Sequence, residues 1–109
     1  MIPADFVKVA ETSDLPEGAM KRASIGGTRV TLVNTGGNIY AFDDECTHDG
    51  GPLSDGTLSD CVVTCPWHFS SFDIRTGEIV DSPAEEPIGV WEVKVDGTSV
   101  YVGGRTVPS

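Results

Sequence analysis

Residues 91 to 102 read Trp91-Glu92-Val93-Lys94-Val95-Asp96-Gly97-Thr98-Ser99-Val100-Tyr101-Val102. Trp91, Val93 and Val95 alternate with Glu92 and Lys94, the period of a strand with one apolar face. Asp96-Gly97 then turns the chain into Thr98 to Val102, which forms the returning strand of a hairpin. The same grammar recurs upstream. Thr28 to Thr35 reads as a strand in which Val30 and Leu32 share a face, and Thr35-Gly36-Gly37-Asn38 turns it into Ile39-Tyr40-Ala41-Phe42. Phe6-Val7-Lys8-Val9-Ala10 reads as a first strand. Thirteen glycines and seven prolines, scattered as punctuation, favour many short strands joined by turns. No window holds a helical period: Leu15-Pro16-Glu17-Gly18 is a turn, and Pro83 and Pro87 break the acidic stretch between them. The fold class is all-β.

One hundred and nine residues is the size of a single domain, and such a chain buries roughly two-thirds of its unfolded surface. No apolar run approaches the roughly 18 residues of a membrane span. Met1-Ile2-Pro3-Ala4-Asp5-Phe6 has no basic flank leading into an apolar stretch, so no secretory signal is expected and the cytoplasm is the expected compartment. Seven Lys and Arg against seventeen Asp and Glu give a net charge of −10, which argues against nucleic acid or an anionic membrane as partner. The acidic runs Asp43-Asp44-Glu45 and Glu85-Glu86 read individually as solvated surface; the total charge reads as a field steering the chain toward basic patches.

Three cysteines, an odd number, make a disulfide framework a poor reading and a metal site a better one. The two histidines both sit beside a cysteine, in Cys46-Thr47-His48 and Cys65-Pro66-Trp67-His68, with sixteen residues between His48 and Cys65. Two thiolates and two imidazoles suit zinc, and they equally suit a 2Fe–2S cluster of mixed ligation. Structural zinc knuckles usually pair like with like, whereas each knuckle here holds one Cys and one His. Two mixed knuckles meeting at a point can give one iron both thiolates and the other both imidazoles. Cys61 is expected to be a small buried hydrophobe in a strand Cys61-Val62-Val63-Thr64.

Cys-x-His, sixteen residues, then Cys-x-x-His resembles the signature of the Rieske-type 2Fe–2S proteins. Cys46-Thr47-His48-Asp49-Gly50-Gly51-Pro52-Leu53 is similar to that family's first box. Cys65-Pro66-Trp67-His68, followed by Phe72-Asp73 and Arg75-Thr76-Gly77, is similar to its second. The likeness covers about residues 38 to 104. It implies one Rieske 2Fe–2S cluster held by Cys46, His48, Cys65 and His68. It also implies an antiparallel β-sandwich with a small cluster-binding subdomain inserted at about residues 43 to 83. The two boxes would form adjacent loops, and Ser82-Pro83-Ala84 a third loop covering the cluster.

Neutral imidazoles in place of two thiolates raise the reduction potential of such centres, to about −150 to +300 mV. High-potential members of the family carry a disulfide between the boxes, and its positions here are Gly51 and Trp67. Phe72 stands where a tyrosine hydroxyl would serve the cluster, while Ser70 keeps the hydroxyl of the family's serine. Two of three potential-raising devices are missing, which places the expected potential in the lower half of the range. The residue after the second histidine is often glycine in the family; Phe69 stands there, which leaves the local backbone open. Leu53, Trp67 and Phe69 could form an apolar docking tip, or the aromatics could fold inward and shield the cluster.

The resemblance also bears on role. A Rieske oxygenase needs a second, mononuclear iron held by two histidines and a carboxylate, and no histidine is left for one. There is no spare nucleophile–base pair, dinucleotide fingerprint or P-loop. The implied role is therefore not enzymatic: a soluble one-electron carrier, resembling the ferredoxin component of an aromatic-ring-hydroxylating dioxygenase system, and so of aromatic hydrocarbon catabolism. It would take electrons from an NAD(P)H-dependent flavin reductase and pass them to the terminal oxygenase, docking transiently and most simply as a monomer. A Rieske-like small subunit of an assimilatory nitrite reductase is the second reading, and a zinc-stabilised interaction module the third.

Overall fold

The computed structural model describes residues 2–48, 50–67, 69–82 and 84–108. Ten strands follow one another: β1 (Val7–Glu11), β2 (Met20–Ile25), β3 (Thr28–Thr35), β4 (Asn38–Asp43), β5 (Thr57–Ser59), β6 (Val62–Thr64), β7 (Ser71–Asp73), β8 (Ile79–Asp81), β9 (Val90–Asp96) and β10 (Ser99–Thr106). The only helical elements among the described residues are two 3-10 turns, Thr12–Asp14 and Leu53–Asp55. Six strands form one antiparallel sheet in the order β1-β10-β9-β4-β3-β2, and four form a smaller one in the order β5-β6-β7-β8.

The hairpin expected at Asp96-Gly97 joins β9 to β10 one residue later, at Gly97-Thr98, because Asp96 still pairs with Ser99; Val100 stands opposite Val95 and Val102 opposite Val93. The Gly36-Gly37 turn joins β3 to β4, with Leu32 opposite Ala41. Strand β2 carries no sequence signal of its own: Met20-Lys21-Arg22-Ala23-Ser24-Ile25 lacks a run of β-branched residues. It forms because it lies at the sheet edge, half-exposed, where pairing with β3 in full register supplies what propensity does not. The last strand runs beyond Val102 to Thr106 through an irregularity after Gly103. Gly103 is there because the Phe6 ring lies against it, 2.7 Å from where a Cβ would sit.

Strand β3 is buried on both faces. Val30 and Leu32 pack into one core with Ala10, Leu15, Ala41, Val100 and Val102. Val33 faces the other way into a second core with Phe42, Leu53, Val63, Phe72, Ile74 and Ile88. The period-two alternation expected of β3 is present, but both of its faces are interior. The second core also contains Cys46 and Cys65, so the small sheet and the candidate metal ligands share one apolar interior.

Asp43 and Asp44 are corrected by the structure: neither is merely solvated surface. Asp43, at the end of β4, accepts hydrogen bonds from Arg105 Nη2 at 2.6 Å and from Trp91 Nε1 at 2.9 Å. This ties the strand that leads into the first box to β9 and β10. Asp44 is fully buried, and its Oδ1 accepts from Thr31 Oγ1 and from the Ser54 backbone N–H, both at 2.8 Å. Arg22 Nε lies 3.4 Å from Asp44 Oδ2. Arg22 also reaches Ser54 Oγ at 2.9 Å and Asp55 at 3.1 Å. Asp44 thus bolts the far end of the first box onto β3. Cys61 precedes β6 rather than lying in it; it is half-buried against the second core, and its carbonyl accepts from the Ile74 N–H at 2.9 Å.

Gly56 follows the Leu53–Asp55 turn and lies against the backbone of Thr64, the residue before Cys65. A Cβ there would sit 1.9 Å from the Thr64 carbonyl oxygen, far inside contact distance. Gly56→Ala is therefore expected to lower the stability of the holoprotein by about 3 kcal/mol, the upper end for overpacking. Chemical denaturation monitored by circular dichroism checks this, and an unchanged midpoint would contradict the close approach.

Candidate metal centre

The two boxes fold as matching loops. In the first, an isolated bridge between Glu45 and Pro52 closes residues 46 to 51. In the second, pairing of Thr64 with Ser71 closes residues 65 to 70 as the β6–β7 connection. Each loop begins with its cysteine, and each cysteine makes the same two backbone bonds. The Cys46 N–H donates to the Gly51 carbonyl at 2.9 Å, and the Cys65 N–H donates to the Ser70 carbonyl at 2.8 Å. The Cys46 carbonyl accepts from the Gly50 N–H at 2.8 Å, and the Cys65 carbonyl from the Phe69 N–H at 3.1 Å. Position for position, Cys46 corresponds to Cys65 and Gly50 to Phe69. The histidine of the first loop is then two places past its cysteine and that of the second three places, which is why the motif reads Cys-x-His in one box and Cys-x-x-His in the other.

The residue that makes this bond in each loop is left-handed, with φ of 76° at Gly50 and 64° at Phe69. Glycine adopts that angle freely, whereas a residue with a Cβ is strained by about 1–2 kcal/mol. Phe69 therefore keeps the backbone that a glycine would have given, which resolves the question its identity raised.

Cys46 and Cys65 are 1% and 0% exposed, and among the described residues no disulfide links them. His48 lies at the surface. His68 and Pro83 lie outside the described residues. The donor set fits a mixed-ligand diiron cluster: two thiols sit within an apolar interior, and an imidazole stands at the solvent edge. A symmetrical zinc knuckle gives no reason for that polarity between thiol and imidazole.

A third segment closes over the two loops, pinned at two points. Ser70 is fully buried, and its hydroxyl accepts from the Ala84 N–H at 3.0 Å. Accepting leaves the hydroxyl proton of Ser70 able to donate. Thr47 Oγ1 donates to the Glu86 carbonyl at 2.6 Å. Sequence reasoning misses Thr47, because a threonine between two candidate ligands gives no signal until the chain, four strands later, folds back over it. A cleft of about 500 Å³, lined by Thr47, His48, Glu85 and Glu86, opens beside the first histidine.

Phe72 is fully buried in the second core. The Asp73-Ile74-Arg75-Thr76-Gly77 segment closes the β7–β8 turn, where Asp73 accepts from Arg75 Nη2 and from the Arg75 N–H, both at 2.9 Å. That bond from Arg75 holds the Asp73 carboxyl below its ordinary value, against a smaller opposing effect of burial. Leu53 requires a correction. It is fully buried, because the 3-10 turn that it opens, anchored by its N–H to the Asp44 carbonyl at 2.6 Å, carries its side chain into the second core. It takes no part in a docking tip. Trp67 and Phe69 do face outward, 55% and 70% exposed.

A chain of antiparallel sheets presenting Cys-x-His and Cys-x-x-His on paired loops is an iron–sulfur protein of defined type, and residues 5–99 match the Rieske [2Fe-2S] domain model. The chain belongs to that family. It is 38% identical over 101 residues to Ferredoxin CarAc of Metapseudomonas resinovorans, covering 92% of this chain and 94% of the relative. It is 37% identical over 104 residues to the ferredoxin component of biphenyl 2,3-dioxygenase from Rhodococcus jostii (strain RHA1), covering 93% of this chain and 97% of the relative. Among solved structures it resembles a chain in a complex of reduced oxygenase and oxidised ferredoxin of carbazole 1,9a-dioxygenase, with a TM-score of 0.86, 37% identity and coverage of 94% and 95% of the two chains.

Proposed function

We propose that this protein is the ferredoxin component of an aromatic-ring-hydroxylating dioxygenase system, a cytoplasmic, monomeric carrier of single electrons from an NAD(P)H-dependent flavin reductase to the terminal oxygenase. Its similarity over nearly full length to the ferredoxin component of biphenyl 2,3-dioxygenase supports this. The observation that carries the reading is the polarity of the site. Both cysteines are sealed in the second core, while His48 stands at the surface. In this reading Cys46 and Cys65 would hold one iron and His48 and His68 the other. When bound, the cluster supplies one-electron chemistry, alternating between two ferric irons and a ferric–ferrous pair.

The chain's own residues do the rest. The main-chain bonds of the two loops fix the cysteines in register, Ser70 and Thr47 hold the covering segment down, and the exposed imidazole edge gives electrons a short way out. No catalytic residue is needed, because nothing but an electron is passed on. Docking is brief, across a small interface below about 1,200 Å².

Anaerobic stopped-flow spectroscopy tests the reading. The red-brown holoprotein is expected to bleach when mixed with a reduced flavin reductase and to regain colour when mixed with oxidised terminal oxygenase. A colourless, zinc-loaded protein, or a red-brown one that exchanges electrons with neither partner, would overturn it. The reduction potential is expected below zero, toward the −150 mV end of the range of about −150 to +300 mV. Phe72 has no hydroxyl, and Gly51 and Trp67 cannot form a disulfide. Spectroelectrochemical titration checks the value, and a potential well above zero would contradict it.

A further inference from the structure

We infer that Phe69 is the anchor by which the terminal oxygenase grips this carrier, its ring entering an apolar socket bordered by basic side chains. The inference rests on the carrier reading above. Gly50 and Phe69 occupy the same place in two equivalent loops, with φ of 76° and 64°, and make the same backbone bond to their cysteine. Glycine serves that place without strain, and the bond requires only a backbone N–H. Phenylalanine is thus the costlier choice on two counts. Its Cβ strains a left-handed backbone, and its ring leaves 70% of the residue's surface in water.

A strained aromatic is ordinarily compensated by packing within its own chain. Phe69 is absent from both cores, which hold Phe42 and Phe72 fully buried. The compensation must come from outside, and backbone strain retained without internal return points to a functional contact.

The surroundings say what kind of surface that contact offers. Trp67, 55% exposed, stands on the same loop as a second aromatic left in water. On the covering segment, Glu85 and Glu86 line the cleft beside His48, and the whole chain carries a charge of −10. An aromatic knob on an acidic protein fits a socket with a cationic rim: aromatics dominate the energetic centres of interfaces, and charge complementarity governs encounter. The oxygenase, rather than the reductase, is the occupant because the similar ferredoxin of carbazole 1,9a-dioxygenase is found in complex with its oxygenase.

The test uses holoprotein and the purified terminal oxygenase of the host's own ring-hydroxylating system. Phe69→Gly is expected to raise the thermal midpoint and to leave the visible spectrum and midpoint potential unchanged. It should weaken binding to the oxidised oxygenase, measured by calorimetry, about tenfold or more. Phe69→Ser keeps the strain and loses the ring, and should bind as weakly as the glycine variant; Phe69→Leu should retain most of the affinity. Because the contact is apolar, the loss should persist at high salt. Wild-type affinity in both the Gly and Ser variants, or a loss that vanishes at high salt, would overturn the inference alone. Wild-type holoprotein that neither binds nor reduces the oxygenase would overturn the carrier reading and the inference with it.

Discussion

Asp44→Ala is expected to lower folding stability by about 2–4 kcal/mol, the scale for orphaning two hydrogen-bond donors beside a buried acceptor. That is a large part of the roughly 5–15 kcal/mol that holds a domain together. The carboxylate is fully buried and serves Thr31 Oγ1, the Ser54 N–H and Arg22 at once. Deleting it orphans two donors, each costing about 1–3 kcal/mol where buried, and frees the far end of the first metal loop from β3. Asp44→Asn keeps an acceptor at Oδ1 and is expected to lose less. Denaturant titration of both variants checks the order, and equal losses would mean that the charge rather than the hydrogen bonding carries the effect.

The same residue sets an acid limit. Burial pushes the Asp44 carboxyl up, but the bonds from Ser54 and Thr31 together with the charge of Arg22 outweigh it, and the group titrates below its ordinary value of 3.8. Asp73 is likewise held low by Arg75. A carboxyl held lower in the folded chain is protonated first in the unfolded one. Its contribution is therefore complete above about pH 4–5 and is lost as pH falls through the native value. Stability should fall off below about pH 4, less steeply in Asp44→Asn.

Cys65→Ser is expected to yield a colourless protein without bound iron. A ligand must be deprotonated to hold iron, and a serine hydroxyl keeps its proton where a thiol gives it up. Position 65 is fully enclosed beside Val63, Phe72 and Ala84, so no water reaches in to replace the lost donor. In the proposed ligation the two thiolates also neutralise the oxidised diiron core, and without one of them a net positive charge would sit in an apolar interior. Iron and acid-labile sulfide analysis decides the matter: a Cys65→Ser variant that purifies red-brown with its full iron content would remove Cys65 from the ligand set.

Much of this molecule is legible before any coordinate is seen. Gly97 and the Gly36-Gly37 pair announce their hairpins because only a few residue types tolerate the positive φ that they adopt. The four candidate ligands stand out because both histidines of the chain accompany a cysteine. What escapes is whatever depends on distant partners. Strand β2 is made by its neighbour rather than by its own side chains. Asp44 is hidden by its acidic flanks, since nothing in Asp43-Asp44-Glu45 says that only the middle residue turns inward toward Thr31. Leu53 reads as surface because it ends the first box, and the short turn that buries it has no signature. Thr47 acquires its role only when residue 86 returns over it.

Among the described residues, main-chain bonds close the paired loops, so that closure owes little to the side chains at 66 and 67. Those places are interchangeable fittings on a fixed chassis: evolution can repaint the face shown to new redox mates without reforging the jaws that clasp the iron.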